Sequence, residues 1–173
     1  MRAAAVTALH MLVLTACSRD PQWYAVPRQW PSTSDASGLG HFISVTDPAA
    51  PIHIVRDVRE VEGNHHRWTG RRPELRFRLR IVKGLKLSID FGIHPDMMKE
   101  IGPVTVVFLI NGQELDKVRF DAPGDKHYEK PVPRQWLRTD SDTLVAMNID
   151  PVWRSPHGLG DHGVGLMAMG FVE

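Results

Sequence analysis

Leu75-Arg76-Phe77-Arg78-Leu79-Arg80-Ile81 alternates apolar and basic residues without a slip. A period of two marks a half-buried strand, with Leu75, Phe77, Leu79 and Ile81 expected inside and Arg76, Arg78 and Arg80 outside. Downstream, Leu85, Leu87, Ile89, Phe91 and Ile93 repeat the period, and Lys83-Gly84 between the two runs predicts a tight hairpin. Residues 104–110 are apolar on both faces and read as a central strand. Asn111-Gly112 then supplies the strongest short hairpin signal, because a type I′ turn needs positive φ at both positions. Val118 and Phe120 mark the return strand, with a bulge expected near Asp116-Lys117, where alternation slips.

Upstream, residues 52–61 open the strand series; downstream, residues 143–149 and 164–172 close it. Only residues 94–102 read as helix: Pro95 can open one or two turns, and Gly102-Pro103 stops them. Seven or more short strands with frequent turn signals, in a chain carrying 14 Gly and 13 Pro, predict an all-β domain. The expected fold is a single antiparallel β-sandwich, a jelly roll, with at most one short helix. At 173 residues the chain holds one ordinary domain. With 42% hydrophobic residues it is too apolar to be disordered throughout. With 21 Lys and Arg against 20 Asp and Glu it lacks the charge bias of a nucleic-acid binder, so no nucleic-acid partner is expected.

The amino end reads as an address. Arg2 precedes a short apolar run, residues 3–13, interrupted by Thr7 and His10, and Leu14-Thr15-Ala16-Cys17 follows. A charged start, a brief apolar stretch and small residues before a cut are the marks of an export signal, and the run is too short to span a membrane. Leu14, Thr15, Ala16 and Cys17 resemble, position by position, the lipobox of a bacterial lipoprotein signal. The resemblance implies cleavage before Cys17, a diacylglyceryl thioether on its sulfur and an acylated new amino terminus. It also implies the outer membrane as destination, since Ser18 stands where some lipoproteins carry an inner-membrane retention Asp. Cys17 is the only cysteine, so no intramolecular disulfide can form, and lipidation accounts for a lone thiol in an exported chain. Removing residues 1–16 leaves 20 basic against 20 acidic side chains. The expected organisation is a signal over residues 1–16, a lipidated Cys and tether over 17–40, and a β-sandwich over 41–173. Pro21, Pro27, Pro31 and the Ser/Thr-rich residues 32–37 give the tether its spacer composition.

Within the domain, Trp68-Thr69-Gly70 leading into Pro73-Glu74-Leu75, then Phe108-Leu109-Ile110-Asn111-Gly112, Pro123-Gly124-Asp125, Lys130-Pro131-Val132-Pro133 and the closing residues 165–171, resemble a jelly-roll domain of uncharacterised bacterial cell-envelope proteins. That family is similar in architecture to galactose-binding-like and carbohydrate-binding-module sandwiches. The resemblance implies a fold; an architecture shared with sugar binders does not by itself assign a ligand.

No Gly-x-Ser-x-Gly elbow, phosphate loop, dinucleotide fingerprint or His-Glu-x-x-His is present. With Cys17 assigned to lipid, a cysteine nucleophile and cysteine-ligated zinc drop out, and neither a cofactor nor a bound metal is expected. His157, Asp161 and His162 share a Gly-rich loop and, joined by His65 or His66, would be the centre of an envelope hydrolase or metal enzyme. This is the alternative to a non-enzymatic reading. Asp121, Asp125, Asp140 and Asp142 offer oxygen ligands for calcium, or cap turns through side-chain hydrogen bonds. Arg76, Arg78 and Arg80, with Arg71 and Arg72 before them, either contact anionic groups or form a solvated face cross-paired with Asp90. Trp68, Trp136 and Trp153 lie outside the alternating runs, where indoles either plug the ends of the core or stack on sugar faces. The function expected is a membrane-tethered, non-catalytic binding or scaffolding module of the cell envelope, with envelope polysaccharide or envelope protein as partner. Trp68, Trp136, Trp153, His157 and Asp161 are its candidate ligand-binding residues.

Overall fold

The computed structural model describes residues 38–62, 65–154 and 160–173; Cys17, Trp23, Trp30 and His157 lie outside them. In chain order the elements are β1 (Phe42–Ser44), α1 (Ala50–His53), β2 (Ile54–Glu62), β3 (His66–Phe77), β4 (Lys86–Ile93), α2 (Pro95–Ile101), β5 (Val104–Ile110), β6 (Gln113–Phe120), β7 (Gly124–Pro131), a 3₁₀ turn (Arg134–Trp136), β8 (Thr143–Asp150), β9 (Trp153–Arg154), β10 (Asp161–His162) and β11 (Gly165–Val172). The domain is all-β, and every ladder is antiparallel. The helix anticipated at residues 94–102 is α2, capped by the His94 ring accepting from the Asp96 N–H. To it α1 adds a single turn, begun by Pro51.

One continuous sheet in the order β6-β5-β8-β3-β11-β4-β7 doubles over into the two layers of a sandwich. The doubling happens within β3. Its second half, Glu74 to Phe77, pairs with β8, while Arg67 and Trp68 in its first half pair with β11. At the bend between them β2 shifts register on both sides of Arg56, and Asp57 adopts φ 58°. The Asp57 carboxylate turns in to accept the Arg72 N–H at 2.5 Å. A Cβ at Gly70 would collide with that carboxylate, so the corner requires glycine there. Strands that pass between packed sheets do so through bends and bulges of this kind.

Aromatic pairs bind the layers face to face. Phe108 of β5 stacks on Tyr128 of β7 at 3.7 Å between centroids. Phe91 of β4 meets Phe120 of β6 edge-on, and Phe77 of β3 meets Phe171 of β11 the same way. β6 and β7 are the outermost strands of the path and share no ladder. Side chains close the gap between them: Lys130 Nζ lies 2.8 Å from Asp116 Oδ1, and the Tyr128 hydroxyl donates to Asp116 Oδ2. The Lys130 hydrogen bond holds the Asp116 carboxyl below its usual range, whereas burial and the neighbouring Asp116 charge push the Tyr128 phenol up.

Two sequence expectations need correction. The runs around Lys83-Gly84 do not form a hairpin: β3 stops at Phe77, β4 begins at Lys86, and β4 pairs with β11 and β7. The intervening residues carry the chain between layers, keeping Leu79 and Leu85 buried but leaving Ile81 49% exposed. Nor do the arginines pair with Asp90. Arg76 Nε donates to the Ile52 carbonyl, Arg78 pairs with Asp142 at 2.6 Å, and Asp90 engages His127. The Asn111-Gly112 turn is as anticipated, with φ 49° and 78°. The bulge in β6 falls at Leu115, beside the expected position.

Phe108→Ala is expected to lower unfolding free energy by about 3–5 kcal/mol, since the cavity opens where the layers meet; urea denaturation measures it. Asp116→Ala should cost about 1 kcal/mol at pH 7. A carboxyl held low in the folded state stabilises above its unfolded pKa and loses that contribution as pH falls through the folded value. The difference from the parent chain should therefore shrink toward zero well below about pH 3. A gap that stays constant from pH 7 to strong acid would contradict the ion pair's role.

Candidate functional site

At the end of the sandwich capped by α2, β9 and β10, two of the predicted tryptophans come together around histidines. Trp68 meets His162 edge-on at 5.0 Å and His66 at 5.4 Å. Trp153 stacks on His94 at 5.7 Å, with ring planes 7° apart, and its indole N–H donates to Glu100 Oε2 at 2.7 Å. Trp153 is 7% exposed and fills the end of the core. His162 is buried beside it, 3.3 Å from Arg59 Nη1, and the second Arg59 amino group donates to the Asp161 carbonyl. The Asp161 carboxylate faces Arg154 at 3.5 Å. Thr69 secures this end by donating to the Val164 carbonyl and accepting from the Val164 N–H. Trp136 sits at the opposite end, half-buried, its carbonyl accepting from the Asn111 amide in the β5–β6 turn.

Asp161 and His162 thus hold separate partners on β10, and His65 and His66 diverge: His66 packs on Trp68, while His65 borders a groove described below. Among the described residues no group of three or more His, Asp or Glu side chains is placed to hold a metal ion. Of the aspartates considered for calcium, Asp121 pairs with Arg119, Asp142 with Arg78, and Asp140 accepts from the Ser141 hydroxyl, while Asp125 lines the groove described below.

The outer face of the β1-β11-β4-β7 layer carries an open groove of about 570 Å³. Strand register builds it. One cross-strand row runs Trp68–Gly165–Gly92–Asp125, and the next runs Ser44–Ala168–Asp90–His127. Directly paired residues of antiparallel strands point to the same face. A Cβ at Gly165 would touch the His66 ring, and one at Gly92 would lie 3.4 Å from Asp125 Oδ1, which places those side chains on the groove face. Trp68, two residues after His66, shares that face. Ala168 and Met167 of β11 line its floor; the Met167 Cε lies 3.4 Å from where a Cβ at Gly92 would stand, and Gly165 is buried against the His66 ring. On the β7 side a polar wall rises from Asp125 and His127, with Lys126 between them paired to buried Phe91 and its ammonium donating to the Pro123 carbonyl, and on the β1 side from Ser44 and Thr46. Trp68, partly buried, stands at the rim of the first row, three strand spacings or about 14 Å from Asp125.

Inside the groove His127 Nδ1 lies 2.7 Å from Asp90 Oδ1, fixing both side chains, and Ser44 and Thr46 share a hydroxyl contact at 3.0 Å. The result is an open trough with carboxylate, imidazole and hydroxyl groups over Met167 and Ala168, and the Trp68 indole in the adjoining cross-strand row. Such a surface can hydrogen-bond a row of hydroxyls and pack against an apolar ring face. Of the sequence candidates, Trp68 shares the face of this groove without lining it, Trp153 and Trp136 pack at ends of the core, and Asp161 lies in the β9–β10 cap. Sequence reasoning missed Asp90, Asp125 and His127 as one site. β7 has a single buried apolar residue, Tyr128, and so gave no strand signal, and the register that aligns β7 with β4 and β11 is long-range.

No protein-family model and no curated protein matches the chain. Solved structures with a related chain path include a family 35 carbohydrate-binding module from an environmental isolate, 7% identical over 76% of this chain and 92% of that one, TM-score 0.47. Another is the CBM51 module from Clostridium perfringens GH95 in complex with methyl-galactose, 12% identical over 75% and 87%, TM-score 0.38. Dimeric latent PorU from Porphyromonas gingivalis is 10% identical over 62% of this chain, TM-score 0.45, and the chain spans only 10% of PorU's length.

Proposed function

We propose that the domain is a non-catalytic glycan-binding module of the bacterial cell envelope, tethered by lipid on Cys17 and reading its ligand in the groove beside Trp68. The observation that carries this reading is the pair of cross-strand rows. Met167 and Ala168 on β11 give a glycan an apolar floor, while polar groups on β4, β7 and β1 meet its hydroxyls. An open, polar trough of this kind suits an extended polymer better than a small molecule that must be enclosed. Tethering supports weak binding, because a module held near an envelope polymer meets it at a raised effective concentration. The lipid chains supply the anchor: each buried CH₂ contributes about 0.8 kcal/mol, so two or more chains hold stably where one does not.

Titrating the indole fluorescence of the chain with a panel of envelope polysaccharides should give a saturable change for at least one of them. Trp68→Ala should abolish the signal and weaken binding, measured calorimetrically, about tenfold or more. His127→Ala should weaken binding without unfolding the domain, since His127 is 59% exposed. Flat titrations across the panel, or undiminished affinity in both variants, would overturn the groove as the site. Cys17→Ser should leave the chain unlipidated and should abolish its partition into detergent; a variant that still matures to the parent mass and partitions with detergent would contradict the anchor.

A further inference from the structure

The opposite outer face, formed by β6, β5, β8 and β3, carries a second and chemically different groove of about 300 Å³. We propose that it binds a phosphate group. Register again assembles the site. Lys117–Val107–Asn148 form one cross-strand row and Arg119–Thr105–Asp150 the next, and Arg71 and Arg72 close the groove from the bend of β3. The charges there do not balance. Arg71 pairs with Asp150 at 2.7 Å, and Arg119 pairs with Asp121 at 2.8 Å. Asp57 accepts the Arg72 backbone N–H and not its guanidinium, and the Arg72 side chain is exposed. Among the described residues neither the Arg72 guanidinium nor the Lys117 ammonium has a carboxylate partner within 4 Å.

Two uncompensated cations in one small groove, flanked by the Thr105 hydroxyl and the Asn148 amide, form a donor-rich set with excess charge near +2. A phosphate monoester matches it with a charge of about −1.5 to −2 and three strong acceptor oxygens. A neutral sugar would leave both cations unanswered, and a single carboxylate would neutralise one. The shared chemistry is the phosphate, whether it arrives free, on a sugar or on a lipid headgroup. This site lies on the other layer from the Trp68 groove, so it stands or falls independently of the glycan reading.

The test is calorimetric titration of the full chain with inorganic phosphate, with glucose 1-phosphate and with glucose, alongside flotation with phosphatidic acid and phosphatidylcholine vesicles. Both phosphates should bind and glucose should not. Arg72→Ala combined with Lys117→Ala should weaken phosphate binding about tenfold or more, and raised salt should weaken it in the parent chain. Either variant side chain is exposed, so thermal unfolding should be nearly unchanged. Tighter binding of glucose 1-phosphate than of inorganic phosphate supports the proposal and assigns a sugar phosphate. Flotation confined to phosphatidic acid and lost in the double variant supports it and assigns a lipid headgroup. Failure of every phosphate probe to bind, or equal binding by parent and double variant, overturns it, whatever the polysaccharide titrations show.

Discussion

The bend in β3 at residues 70–73 is the constraint from which the two layers and both grooves follow. A strand serving two layers must change direction without losing its hydrogen bonds. Here β2 follows it round the corner by slipping register at Asp57, whose carboxylate takes up the Arg72 N–H. Gly70 leaves room for that carboxylate, and Thr69 just before it ties the strand to residue 164 at both backbone polar groups of that residue. A different corner angle would change which residues of β3 meet β11, and with them the Trp68–Gly165 register on which the first groove depends.

From that corner the two outer faces diverge in chemistry although the chain as a whole is nearly neutral. The β1-β11-β4-β7 face has acids and imidazoles over Met167 and Ala168. The β6-β5-β8-β3 face gathers arginine and lysine beside a hydroxyl and an amide. Net charge thus conceals a local segregation that only strand order creates, because Lys117, Asn148 and Arg72 are far apart in sequence and adjacent only through β5 and β8. The buried aromatic pairs keep the two faces rigid with respect to the core, so the polar groups on each are held in place by packing they do not themselves provide.

What the sequence made legible follows from how local each signal is. The alternation at Leu75 to Leu79 and at Leu85 to Ile93, the apolar run of β5 and the Asn111-Gly112 turn are readable because a few neighbouring residues decide them. The false hairpin at Lys83-Gly84 shows the limit. Two adjacent strands with a turn between them look paired, yet each finds better partners elsewhere in a sandwich with crossing connections. β7 was invisible because this edge strand carries charge on half of its positions and buries only Tyr128. Trp68 was legible as a candidate by residue type alone. That Asp90, Asp125 and His127 share its face was not legible, and Asp125 read only as a calcium ligand, since their relation depends on long-range register between strands. The loop with Asp161 and His162 looked chemical in sequence; in the fold each side chain has its own arginine partner.

The central claim is that one face of the sandwich, the groove floored by Met167 and Ala168, is where the protein reads a glycan. The most direct measurement is an amide and indole chemical-shift titration of isotopically labelled protein with soluble envelope polysaccharide. The account predicts that perturbations concentrate at Ser44, Asp90, Asp125 to His127, Met167, Ala168 and the Trp68 indole, with the core and the β6-β5-β8 face unmoved. Saturable perturbations that spare those residues and map elsewhere would contradict it.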